Sequence, residues 1–160
     1  MSTMRRRAIR GLAVGDAFSV TRTFTAPEVA RFADITRDFN PVHFDERFAR
    51  ARKMNTVICH GLLIAGMLTQ IGGQIGWLAS GMNFKFRKPV YIEDTITCTF
   101  TIGQIDDDGR AAGKALYTNQ RNELVLEADL KGILPDPAAR QVLQMMAAEG
   151  DPTNSRHGLD

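Results

Sequence analysis

Asp38 and His43 lie five positions apart in the stretch RDFNPVHFDE, residues 37–46, with Asn40 and Pro41 between them. An imidazole titrates near neutral pH. A carboxylate beside it can orient the ring or share a proton with it, so such a pair can hold and activate one water. Asn40 offers polar support, and Pro41 stiffens the geometry. The same residue types also favour a turn at a helix end for purely local reasons, and the motif alone leaves both readings open. A second stretch, CHGLLIAGM, puts Gly61 in the first turn of an apolar helix. Free backbone N–H groups there carry partial positive charge and can receive a carbonyl oxygen that gains negative charge during a reaction. Close packing at Gly61, with His60 as a cap, accounts for these residues equally well.

The chain that must position these groups has 160 residues, 44% of them apolar and 24% charged. That suits one soluble globular domain with a sizeable core. The longest apolar stretch, VICHGLLIAGMLTQIGGQIGWLA, is interrupted by His60, Thr69, Gln70 and Gln74, so it reads as a buried helix and no membrane span is expected. Twenty basic and eighteen acidic side chains give a net charge of +2. This balance argues against duplex nucleic acid as a partner, because phosphate binding needs a dense basic face. The start, MSTMRRRAIR, has arginines but no apolar run, which excludes a secretory signal and suggests a mobile basic tail over residues 1–10. Cys59 and Cys98 are isolated, so neither a disulfide framework nor a metal site is expected, and a reducing cytoplasm fits.

Residues 16–24, DAFSVTRTF, read as an opening strand. TAPE then gives a capping box from Thr25 and Glu28. Val29, Phe32 and Ala33 lie at helical spacing, and the helix must end before Pro41, which pushes Asn40 out of the helical region. A second short helix starts at Asp45. From His60 to Leu78 the pattern predicts one central helix, roughly 27 Å long at 1.5 Å per residue. It is apolar nearly all round and so buried on most sides. Its glycines each weaken an isolated helix by about 1 kcal/mol, so packing must hold it.

Four strands follow: SGMNFKFRKPV, TITCTFTI, RAAGKALYTNQ and ELVLEADLKGI. In the second, Ile96, Cys98, Phe100 and Ile102 alternate with threonines, giving one buried and one wet face. DDDG at 106–109 and QRNE at 120–123 read as turns. The expected architecture is a single α+β domain over residues 11–135, with an antiparallel sheet wrapped around a long central helix. Residues 136–160 read as an amphipathic helix to about Ala148 followed by a disordered end.

Three motifs in this order resemble the MaoC-like group of (R)-specific enoyl-CoA hydratases and 3-hydroxyacyl-thioester dehydratases, over roughly Val14 to Ile133. They are the acid followed by x-N-P-x-H at Asp38 to His43; the H-G start of the central helix at His60 and Gly61; and F-x-x-P-V at Phe86 to Val90, followed by Asp94. The resemblance implies a hot-dog fold and a lyase that reversibly hydrates a trans-2-enoyl-CoA to the (R)-3-hydroxyacyl product. Asp38 and His43 would activate the water, Gly61 would receive the thioester carbonyl, and Asn40 would support the turn. Leu62, Thr69, Gly72 and Phe86 are acyl-pocket candidates, while Arg87 and Lys88, with Lys85, are candidates for the coenzyme A phosphates. A solvated strand end explains the three basic residues equally well, since neighbours on a strand alternate faces. Coenzyme A enters only as part of the substrate, and no metal or redox cofactor is implied. A homodimer is implied, and an uncovered sheet edge gives a separate reason for pairing. Rival readings are a carrier-protein dehydratase, a hot-dog thioesterase and a non-catalytic thioester-binding subunit. The chain departs from the family's pattern at Arg37 and Glu93, where many members have glycine. Arg37 either faces solvent or depresses the acid's pKa.

Overall fold

The computed structural model describes residues 2–151 and residue 153. Strand β1 (Ala17–Thr23) is followed by α2 (Ala26–Thr36), which a first helix α1 (Thr3–Arg10) precedes in the chain. A 3₁₀ turn at Pro41–His43 leads into α3 (Glu46–Ala51), then α4 (Gly61–Ala65) and α5 (Met67–Ile75). Strands β2 (Leu78–Phe86), β3 (Thr95–Ile105), β4 (Arg110–Thr118) and β5 (Leu124–Ile133) follow, and α6 (Pro137–Ala148) ends the series. The five strands form one antiparallel sheet in the order β1-β3-β4-β5-β2, so β1 and β2 are its edges.

The alternation in β3 is realised as predicted. Ile96, Cys98, Phe100 and Ile102 are buried, and three outward threonines bond across to β1: Thr99 with Ser19 at 2.8 Å, Thr97 with Thr21 at 2.9 Å and Thr95 with Thr23 at 2.7 Å. The inner face packs on α5, whose Met67, Leu68, Ile71 and Ile75 are buried with it in one core. The capping box also forms, with the Thr25 N–H and hydroxyl both donating to the Glu28 carboxylate at 2.9 Å.

Three expectations are corrected. The central helix is two helices broken at Gly66. The Thr69 N–H and hydroxyl both donate to the Gly66 carbonyl, at 3.0 and 2.7 Å, and the Ala65 carbonyl turns instead to the Tyr117 hydroxyl of β4 at 2.9 Å. The helical run then ends at Gly76, whose φ of 71° is the left-handed conformation that favours glycine, so Leu78 opens an edge strand.

The basic N-terminal tail is a docked helix. Ser2 caps α1 by accepting from the Arg5 N–H and donates its own hydroxyl to the Gln74 side chain. Arg5, only 5% exposed, donates to the Gly73 carbonyl at 3.2 Å. Its Nε lies 3.3 Å from Asp151 Oδ2 in an ion pair without a hydrogen bond between those atoms. A run of arginines reads as solvated because the sequence does not show which of them meets a distant carboxylate. Asp151, assigned to a disordered end, is that carboxylate and is buried. The expectation for residue 152 and for residues 154–160 lies outside the described residues. Helix α6 stops at Ala148 as expected, and Asp136 caps it by accepting from the Ala139 N–H at 2.7 Å. No helix among the described residues is long and apolar enough to cross a membrane.

Candidate active site

The acid is delivered by the end of α2. Arg37 closes that helix in the left-handed conformation, φ 63° and ψ 21°, with its N–H on the Ala33 carbonyl at 2.7 Å. Asp38 therefore leaves the helix axis. Its Oδ1 accepts the Asn40 N–H at 3.2 Å, and Asn40 Oδ1 in turn accepts the Val42 N–H at 3.2 Å. These two side-chain links, with Pro41 opening the 3₁₀ turn, hold the backbone between the acid and His43.

The His43 Nδ1–H donates to the Ile58 carbonyl at 2.8 Å, which leaves the Nε2 lone pair as the free one. Nε2 lies 3.9 Å from Asp38 Oδ2. That is too long for a direct hydrogen bond and suits a bridging water. The His43 side chain is buried while the Asp38 side chain is half exposed. Burial pushes the His43 pKa below the usual imidazole value, and His60 adds to this. The Ile58 carbonyl and the Asp38 carboxylate oppose it without reversing it.

His60 completes the cluster. Its Nε2–H donates to the Asp38 backbone carbonyl at 2.9 Å, and its ring stacks on that of His43 with centroids 3.7 Å apart. In the sequence His60 stands only as a motif residue and possible cap. Its position directly before Gly61 was the available signal. Asp38, His43 and His60 offer ligand-type atoms within 4.8 Å of one another. His43 Nδ1 and His60 Nε2 are already spent in hydrogen bonds, so the set suits a water better than an ion needing three or four protein ligands.

The three residues border a cavity of about 700 Å³ walled by Phe32, Ile58, Ile64, Val90 and Leu126. Gly61, Leu62, Phe86, Arg87 and Lys88 also line it. Gly61 begins α4, and a Cβ there would lie 2.7 Å from Phe86 Cε1, so a side chain at this position would strike the ring. Arg87 and Lys88 reach the rim already paired, with Glu127 at 2.7 Å and Glu123 at 2.8 Å; Lys85 lies 3.6 Å from Glu127. Thr69 and Gly72 are not brought to this cavity. They line a separate one of about 140 Å³ with Trp77, Met82 and Leu130.

The Asp94 end of the third motif is architectural. Asp94 is buried, accepting the Tyr91 N–H at 2.9 Å and the Gln120 side-chain amide at 2.6 Å. Val90 accepts the Cys59 N–H at 2.8 Å and so ties this loop to the start of α4. Glu93 before it has φ 70°. Both positions where the chain lacks the family's glycine, Arg37 and Glu93, thus carry the left-handed backbone that glycine adopts without cost.

An antiparallel sheet packed on a broken central helix, with an acid and an imidazole facing each other beside an apolar cavity, defines a hot-dog domain with an acid/base site. The chain belongs to the MaoC like domain family, which matches residues 14–122. Among curated relatives, the (R)-specific enoyl-CoA hydratase of Rhodospirillum rubrum is 33% identical over 125 residues, 76% of this chain and 87% of that protein. The (R)-specific enoyl-CoA hydratase of Aeromonas caviae is 32% identical over 103 residues, 62% of this chain and 77% of that protein. A solved structure of an (R)-hydratase from A. caviae superposes with a TM-score of 0.74 at 29% identity, covering 79% of this chain and 99% of that one. A mitochondrial 3-hydroxyacyl-[acyl-carrier-protein] dehydratase of Arabidopsis thaliana is 34% identical over 87 residues, 53% of this chain and 52% of that protein.

Proposed function

We propose that the protein is a hydro-lyase that reversibly hydrates a trans-2-enoyl-CoA to the (R)-3-hydroxyacyl-CoA. The observation that carries this reading is the 3.9 Å gap between His43 Nε2 and Asp38 Oδ2, beside an apolar cavity and the first turn of α4. A water in that gap donates one hydrogen bond to Asp38, which orients it, and one to His43 Nε2. As the water oxygen bonds to C3, His43 takes a proton and negative charge moves to the thioester oxygen. The Gly61 N–H receives that oxygen, an interaction stronger in the transition state than in the ground state. The proton is returned through the pair to C2, so one O–H bond and the C2=C3 π bond break while a C3–O and a C2–H bond form. Every step uses side chains and backbone of this chain, and the reading includes no metal or redox cofactor. Coenzyme A is part of the substrate.

Leu62 and Phe86 line the acyl end of the cavity in this reading, and Arg87 and Lys88 meet coenzyme A phosphates by exchanging Glu127 and Glu123 for them. That exchange, together with the Arabidopsis relative, favours testing a carrier-protein thioester as the second substrate. We further propose a homodimer. The edge strand β2 exposes Leu78, Met82 and Phe86, and a second copy covers them. Size-exclusion chromatography with light scattering reads this directly.

The test of function is the loss of enoyl absorbance from crotonyl-CoA. Asp38→Ala and His43→Ala each lower the rate by roughly 10²-fold or more while circular dichroism stays native. Near wild-type hydration by both variants would mean that the site is wrong. Release of free thiol from an acyl-CoA would instead indicate a thioesterase, and a faster rate on the carrier-protein thioester would indicate that dehydratase.

A further inference from the structure

His60 makes two contacts that the acid/base roles leave unused. It is 1% exposed, so its ring is fixed by its surroundings. The acceptor at its Nε2 is the Asp38 carbonyl, which cannot donate, so the hydrogen sits on Nε2 and the lone pair on Nδ1. Nδ1 is buried with no hydrogen-bond partner among the described residues. One face of the ring lies against His43, with an interplanar angle of 27°, and Phe32 lies 5.1 Å away by ring centroid. The two groups that must share a water are thus each held by this one side chain, Asp38 through its main chain and His43 through its ring.

We infer that His60 is a positioning residue for the hydration reaction: it pins the acid by its carbonyl, braces the base by stacking, and keeps the pair at a one-water separation. The inference rests on the function proposed above. A displacement of about 1 Å at such a site can cost on the order of 10²-fold in rate, so a residue that acts only through the placement of Asp38 and His43 still governs turnover. A buried histidine kept only for packing would affect stability and the charge felt by His43, and leave the kcat of the folded variant alone. A positioning role affects both turnover and titration.

The titratable groups around the cavity limit the alternatives. Besides Asp38 and His43 they are Cys59, His60, Arg87 and Lys88. Burial pushes the Cys59 thiol up to about 12, while Arg87 and Lys88 are tied to Glu127 and Glu123. His60 is therefore the neighbour whose replacement changes the setting of His43 without removing its carboxylate.

The experiment compares His60→Phe, which keeps a flat ring but loses the donor, with His60→Gln, which keeps a donor but loses the ring. Each is assayed on crotonyl-CoA for kcat, KM and the pH dependence of kcat/KM, with Tm recorded. In folded His60→Phe, kcat falls about 10-fold or more with KM little changed, and the acid limb of the profile moves to higher pH. His60→Gln recovers part of kcat, and neither substitution causes a further loss in a His43→Ala background. Should His60→Phe fail to fold, His60→Gln carries the test through a kcat below that of the wild type with KM little changed. Wild-type kcat in a folded variant, whether or not the limb moves, with the wild type active, overturns the inference alone. A wild type without hydratase activity overturns the proposed function and this inference with it.

Discussion

The Tyr117 hydroxyl donates to the Ala65 carbonyl at 2.9 Å across the break in the central helix. Tyr117 is fully buried, and burial pushes its phenol well above the usual range, so it acts here as a fixed donor. The bond gives a partner to a helix-end carbonyl that would otherwise be left orphaned in the core. Tyr117→Phe keeps the ring and removes that partner. The expected cost is about 1–3 kcal/mol in chemical denaturation, the penalty for a buried unsatisfied carbonyl. An unchanged midpoint would show that the break is held by other means.

Arg37 pairs a left-handed backbone with a side chain that the site does not use. Arg37→Gly should keep or raise the Tm, because glycine adopts φ 63° without the Cβ penalty of roughly 1–2 kcal/mol, and hydration should persist. Arg37→Val should lower the Tm, since a branched side chain tolerates this backbone least. Equal melting of both variants would count against strain at this cap.

Activity should extend below the ordinary imidazole range. The His43 pKa lies below 6.5, chiefly through burial, and the base must be neutral, so the acid limb of kcat/KM falls below pH 6.5. The sign for stability follows from linkage. A folded-state pKa below the unfolded one means that the unfolded chain binds more protons in that window, so this contribution is present above pH 6.5 and is lost as pH falls through the folded value. Urea titrations at several pH values should show His43→Gln losing less stability across that window than the wild type. An acid limb above pH 6.5 would contradict the burial argument.

Gly61 and Phe86 are coupled by contact. Gly61→Ala forces a Cβ to 2.7 Å from Phe86 Cε1, so either the ring or α4 must shift, and hydration should fall by about 10-fold or more. Gly61→Ala combined with Phe86→Ala removes the clash and should recover part of the rate. Strictly additive losses would show that the two residues do not meet.

What the sequence discloses divides by range. The Asp38–His43 turn was legible because the ties that shape it fall within a few residues, Asn40 on Asp38, Val42 on Asn40 and Pro41 between them, while its links to Ile58 and His60 are not local. The β3 face was legible because alternation is a local period. The break at Gly66 was not, because its deciding partner lies on β4, and one straight helix also misplaced Thr69 and Gly72. Arg37 was noticed as a departure, but its backbone angle, not its charge, explains the position. His60 stood in plain view, and its second contact needed the fold to bring α4 against the end of α2.

The clamp of Arg5 on Asp151 has a consequence for the order of assembly. Helix α1 is made before the sheet, yet the charge that lets its arginine be buried is made after it, and an unpaired buried guanidinium is strongly unfavourable. The five strands, all within residues 17–133, can gather into their sheet before that partner exists. Helix α1 therefore docks after the sheet, closing over Gly73 and Gln74 with Asp151 as its counter-charge, like a latch on a finished core.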